Sequence, residues 1–228
     1  MKRYDELMQI LREGVYDRGI FKAFFIAGGP GSGKSFVTGH TTGGLGLKVI
    51  NSDDAFERGI RKAGMSFDIN AMDQEEYERA MEIRNRAKDL TKMKQSLAIE
   101  GKLGLVIDGT GREYDKITSQ SEALKALGYD TYMIFVNTSL DTALERNQMR
   151  PRKVPEDIVI NSWKQVQSNM GKFQNYFGQS KFVLVDNNNA TEDVLLKVFK
   201  RIRKYVDAPI TNYKAKQWIA NELQMKAR

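Results

Sequence analysis

Short apolar runs alternate along this chain with longer stretches of helical periodicity. The runs at 24–27, 47–50, 103–108, 131–136 and 182–185 have the length and composition of strands covered on both faces. Between them the spacing predicts helices over 35–40, from 55 onward, over about 112–127, over 139–149 and over about 156–177. Glycines 43, 44 and 128 mark two of the helix ends. The longest helix is expected over 73–101, with Ala80, Ile83, Ala87, Leu90, Met93, Leu97 and Ile99 as its buried stripe. Leu7, Ile10 and Leu11 predict a helix over 3–14, ahead of the first strand. Asn189, with Glu192 three residues on, reads as the cap of a helix running through Tyr205. After Asp207-Ala208-Pro209, the residues Trp218, Ile219 and Leu223 mark a last helical segment that docks on the domain or on a partner. Strands alternating with helices predict an α/β domain of three layers, a mostly parallel five-stranded sheet with helices on both faces. Its expected extent is 1–206, with a helical tail over 207–228.

The first apolar run leads into Gly-Gly-Pro-Gly-Ser-Gly-Lys-Ser at 28–35, which satisfies G-x-x-x-x-G-K-[ST] in full. Glycines let consecutive backbone N–H groups turn inward around a phosphate, because no Cβ stands in the way. Gly29, Pro30, Gly31, Ser32, Gly33, Lys34 and Ser35 are therefore the candidate nucleotide-binding residues, in a three-layer P-loop NTPase. Lys34 reaches the β- and γ-phosphates and Ser35 can ligate Mg²⁺. ATP and Mg²⁺ are the implied cofactors. The third apolar run ends in Asp108, as a strand does whose acid reaches the metal or its water shell.

Asp53 and Asp54 follow the second strand directly, at the strand end where ligands gather in open α/β sheets. Asp53 is a candidate general base and Asp54 a substrate-side group. Capping of the next helix by Ser52 or Asp53 is an equally available reading. Arg146, Arg150, Arg152 and Lys153 follow the fourth strand, interrupted by Pro151 and Pro155. A helical lid over about 146–156 is expected to carry Arg146 and Arg150 onto the transferring phosphate, with Arg152 near the substrate. Arg58 and Arg112 are left as candidate anchors for an anionic acceptor. His40 stands without a second histidine or any cysteine, so a packing or surface role is its default.

No run approaches the length of a membrane span and the charged N-terminus is no signal peptide, so a soluble, cytoplasmic protein is expected. The net charge is +7, and nine Lys/Arg against two acids from Lys197 onward account for all of it. Such a basic end suits a polyanion such as nucleic acid, or simply a solvated helix face. A phosphate loop in a compact chain, a carboxylate one strand on, arginines after the fourth strand and no guanine-reading N-K-x-D favour a kinase over a GTPase, motor or helicase.

G-P-G-S-G-K-S followed by N-S-D-D resembles the kinase domain of the phage polynucleotide 5′-kinases, as does E-R-N-Q-M-R-P-R-K-V-P-E-D-I-V for that family's lid. The likeness implies that Asp53 is the general base, Arg150 the lid arginine and Arg146 the arginine one turn earlier. L-V-I-D-G-T-G-R at 105–112 is similar to the zeta-toxin kinases, which phosphorylate UDP-N-acetylglucosamine. That likeness implies a sugar-nucleotide acceptor and an antitoxin-like protein partner. Two departures fall on the acceptor side: Phe56 stands where the polynucleotide kinases have an arginine, and Asp108 where the zeta toxins have a glutamate. The expected activity is ATP-dependent phosphorylation of a hydroxyl on a polynucleotide (a 5′-OH or a modified base) or a nucleotide. A zeta-like sugar-nucleotide kinase and a non-catalytic nucleotide-binding module are the alternatives.

Overall fold

The computed structural model describes residues 14–67, 72–150 and 153–227. The helix expected over 3–14 and the side chain of Arg152 lie outside them. The described chain runs β1 (Lys22–Ala27), α1 (Lys34–Thr42), β2 (Lys48–Ile50), α2 (Ser52–Lys62), α3 (Gln74–Glu100) and β3 (Leu105–Asp108). It continues through α4 (Tyr114–Ala126), β4 (Asp130–Asn137), α5 (Leu140–Gln148), α6 (Glu156–Phe177), β5 (Phe182–Asp186), α7 (Glu192–Asp207) and α8 (Tyr213–Lys226). The strands form one sheet in the order β2-β3-β1-β4-β5, and every described pairing is parallel.

Parallel strands need crossovers, so helices cover both faces and the central strands are apolar throughout. Every residue of β1 is buried, whereas the edge strand β5 leaves Leu184 and Asp186 exposed. Alternate β1 side chains serve opposite layers. Ala23 and Phe25 join Met133, Phe135 and Phe173 on one face; Phe24 and Ile26 join Ile134, Val198 and Ile202 on the other. A third, smaller core of Phe56, Ile60, Ala80 and Ala87 joins α2 to α3.

The stripe expected on α3 is corrected in its second half. Ala80, Ala87 and Ala98 are buried, while Leu90, Met93 and Leu97 are 53%, 61% and 61% exposed. After Ala87 the inward line passes through Thr91 and Gln95, both half-buried, to Ala98. Leu90 and Leu97 each lie one position before that line, about 100° around the helix, and Met93 lies two positions from 91 and from 95. Lys94, itself exposed, donates its Nζ to the Val49 carbonyl at 2.7 Å. Gly59 lets α2 approach this helix, since a Cβ there would run into Ile83.

The cap expected from Asn189 is also corrected. Helix α7 begins after Thr191 without any side-chain cap, and the neighbouring asparagines bind elsewhere. Asn187 and Asn188 face the phosphate loop and the start of α5, as described below. At the other end of the sheet, Trp218 of α8 packs edge-on against Phe21, with ring centroids 5.5 Å apart. The linker before α8 is held by Thr211, whose backbone N–H donates to the Asp130 carboxylate at 3.2 Å and whose hydroxyl also bonds it. Lys22 binds the same carboxylate at 3.0 Å, both side chains being almost fully buried. No helix among the described residues is long and apolar enough to cross a membrane.

Candidate active site

The phosphate loop leaves the carboxyl end of the central strand and is fixed on all sides. Gly28 N–H donates to the Thr110 carbonyl at 3.1 Å. The Asn187 amide donates to the Ser32 carbonyl at 2.7 Å. Gly31 and Gly33 have φ of 77° and 78°, a left-handed backbone that only glycine adopts without cost. A Cβ on Gly31 would press into the Ala143 carbonyl, and one on Gly33 into Asn187. The loop is thus both too bent and too closely packed for side chains.

Lys34 opens α1 and turns back over the loop, donating to the Gly28 carbonyl at 2.7 Å. Burial pushes its ammonium pKa down, against the pull of Asp108. Burial likewise pushes Asp108 up, and Lys34 opposes it. Each stabilises the charged form of the other in a site that disfavours both. Arg150 lowers Lys34 further and Asp53 raises it, so both lie within electrostatic reach of the lysine.

A cleft of about 580 Å³ opens beside the loop. Gly29, Pro30, Gly31, Gly33, Lys34 and Ser35 line its donor side, with Asp108, Thr110, Arg146, Arg150 and Val154. Asn51, Asp53, Asp54, Glu57, Arg61 and Phe67 line the other. Ser32 packs just behind, its hydroxyl buried without a hydrogen-bond partner. The strand register explains the convergence: Ile50 pairs with Ile107, so the first residue after β2 faces the last of β3. Asn51 caps α2, accepting the Asp53 N–H at 2.8 Å. The capping expected of Ser52 or Asp53 therefore falls to Asn51. Asp53 is left on the exposed first turn with its carboxylate on the cleft.

Besides Ser32, two charged side chains on the donor side each keep a buried atom without a partner. Arg146 gives one Nη to the Asn188 carbonyl at 2.9 Å, while its Nη1 has no acceptor and lies beside Gly33. Asp108 accepts from Asn51 on Oδ2, and its Oδ1 has no donor. An unsatisfied guanidinium nitrogen at the loop suits an incoming phosphate, and an unsatisfied carboxylate oxygen suits a cation or its water. Among the described residues no group of three or more His, Cys, Asp or Glu could hold a metal. Ser35 and the bare Asp108 Oδ1, both on the cleft, are oxygens of the kind a Mg²⁺ accepts when its remaining ligands come from phosphate and water.

Two substrate-side candidates do not line the cleft either. Arg58 is exposed on another face of α2, and Arg112 donates to Ser162 of α6 at 3.2 Å. Arg61 and Glu57 take the acceptor-side positions instead. Helical spacing could have selected them, because 54, 57 and 61 share one face of α2. Arg61 lies over the Phe67 ring at 5.7 Å, pairing a cation with an aromatic surface. After α5, the Asn147 amide binds both the N–H and the carbonyl of Val154, which fixes the far side of the segment carrying Arg150. Trp163 of α6 donates to the Thr138 carbonyl at 2.8 Å and backs Gly29.

The model of the zeta toxin family matches residues 13–196. The chain belongs to the zeta toxin family. It is a P-loop kinase of that group, with the α/β fold described above. No curated protein sequence matches this zeta toxin family member. Among solved structures, a kinase candidate from Chloroflexus aurantiacus shares 16% identity at a TM-score of 0.52, over 79% of this chain and 97% of that one. The AvrRxo1-ORF1:AvrRxo1-ORF2 complex with sulphate ions gives 13% identity and a TM-score of 0.56, over 93% and 73%. The same pair with ATP gives 13% and 0.52, again over 93% and 73%. At these identities the likenesses establish the fold.

Proposed function

We propose that this protein transfers the γ-phosphate of ATP to a hydroxyl of a nucleotide-type acceptor, with Asp53 as general base. The observation that carries the reading is that Asp53, from the end of β2, lines the same cleft as Lys34 and Ser35. The donor's phosphates lie along the N–H groups of 29–33, with Lys34 at the β- and γ-positions and Arg146 beside Gly33. ATP as donor accords with the nucleotide held by the AvrRxo1 pair. Mg²⁺, when bound through Ser35 and Asp108, screens the phosphate charge. Asp53 accepts the acceptor's hydroxyl proton as its oxygen bonds to the γ-phosphorus. The bond from that phosphorus to the bridging oxygen breaks, and ADP leaves. Arg150 and Arg146 neutralise the charge that spreads over the transferring group.

On the acceptor side, Arg61 over Phe67 offers a guanidinium for phosphate and an apolar ring for a base or sugar. A sugar nucleotide or a mononucleotide fits this small cleft, and the family match favours the former. A polynucleotide 5′-OH or a hydroxyl on a modified base is the second reading. Its support from the basic tail weakens, because α8 is anchored at the amino ends of β1 and β4, opposite the cleft. A soluble, cytoplasmic protein with an antitoxin-like partner completes the proposal; the AvrRxo1 structures contain such a pair of proteins.

The test is transfer from γ-labelled ATP to UDP-N-acetylglucosamine, mononucleotides, 5′-OH oligonucleotides and hydroxymethylated DNA in parallel. Label in the small acceptors supports the first reading, and label in the nucleic acids alone the second. Asp53→Asn should lower turnover by about 10²–10⁴ while ATP binding persists. Undiminished turnover in that variant would remove Asp53 from its role, and no label in any acceptor would leave a nucleotide-binding module.

A further inference from the structure

Asn51 stands at the junction of β2 and α2, and its one side chain does two things. Its Oδ1 accepts the Asp53 N–H at 2.8 Å, which caps the helix. Its Nδ2 donates to Asp108 Oδ2 at 2.9 Å and lies 3.4 Å from Asp54 Oδ1. Capping alone needs only an oxygen, so serine or aspartate would serve equally well there. The second contact needs more. Aspartate has no donor to offer a carboxylate, and serine is a bond shorter, too short to cap the helix and reach the neighbouring strand together.

What the second contact does is visible on Asp108. With Oδ2 engaged by Asn51, the buried carboxylate turns its other oxygen, Oδ1, to a place where no protein donor meets it. An ionised oxygen left bare in a buried site is costly unless a cation or water completes it. We infer that Asn51 is a positioning residue: it presents Asp108 Oδ1 to the metal shell and, through the same amide, sets the start of the helix that carries Asp53. The metal side of the cleft and its acceptor side are thereby held in one geometry by a single side chain. This rests on the kinase reading above.

The experiment compares wild type, Asn51→Ser and Asn51→Asp, with Asp108→Asn as the control for the metal site. Mn²⁺ binding is followed by electron paramagnetic resonance in the presence of a non-hydrolysable ATP analogue, and thermal unfolding reports the cap. Asn51→Ser should keep the unfolding temperature and metal-free nucleotide binding yet weaken Mn²⁺ about 10–100-fold, the usual loss when a ligand's outer partner is removed. Its kcat should fall with the acceptor KM unchanged. Asn51→Asp, which keeps the cap but offers Asp108 no donor, should likewise weaken Mn²⁺ binding, and wild-type Mn²⁺ affinity in it would count against the inference.

Wild-type Mn²⁺ affinity and kcat in Asn51→Ser would overturn the inference and leave Asn51 a helix cap. Unweakened Mn²⁺ binding in Asp108→Asn would overturn it as well, by removing the carboxylate to be positioned. Neither result bears on Asp53, whose own variant decides the kinase reading.

Discussion

The two sides of the cleft are built by different means. The donor side is mostly backbone: N–H groups of a glycine loop, locked by Thr110 and Asn187 and too tightly packed to admit a Cβ at Gly31 or Gly33. The acceptor side is side chains projecting from one face of α2 along its length, with Arg61 of the last turn leaning on Phe67. Backbone geometry constrains sequence tightly, because few residues can adopt it. An exposed helix face constrains it loosely, since many side chains fit there without disturbing the core. A fold of this kind can therefore keep one donor while changing acceptors.

The sharpest way to break that contrast is Lys34→Ala, which removes the buried cation from the donor side. Turnover should drop by about 10²–10³ or more with every acceptor alike; a loss confined to one acceptor would show that the sides are not separable. Next in size is Gly31→Ala, where the left-handed backbone alone costs about 1–3 kcal/mol before contact with Ala143. Urea unfolding and ATP titration should both record the damage, and an unperturbed ATP affinity would mean the loop yields. Arg61→Ala addresses the other side. Loss of a charge-assisted contact of about 1.5–3 kcal/mol should raise the acceptor KM tenfold or more, with the KM for ATP unmoved. An equal rise in both would place Arg61 on the donor.

The donor side was legible in the sequence because its chemistry is local: eight consecutive residues carry glycine, lysine and serine at fixed spacing. The sheet was legible for a similar reason, since strands covered on both faces are written as apolar runs. What escaped were features that depend on phase or register. Arg58 is the acceptor anchor the sequence offers on this helix, although the helical repeat selects Arg61. Asn51 was invisible as a partner of Asp108 until β2 and β3 were laid side by side. On α3 the apolar residues at 90, 93 and 97 begin with two three-residue steps from 87, while the inward line begins with two four-residue steps, through 91 and 95 to 98. Because Leu97 faces outward, Leu97→Gln should change stability by less than about 0.5 kcal/mol in thermal or urea unfolding. Ala87→Leu, which must force α2 away, should cost about 1–3 kcal/mol.

The carboxylate of Asp130 has consequences for the order in which this molecule can be completed. It is committed to Lys22 on one side and to Thr211, 81 residues further along, on the other. A ribosome releases the strand long before it releases the residue that finishes its solvation. Until Thr211 is made, Lys22 and water are the partners available to that acid. All 81 residues from 131 to 211 must therefore be made before the protein itself can complete that site.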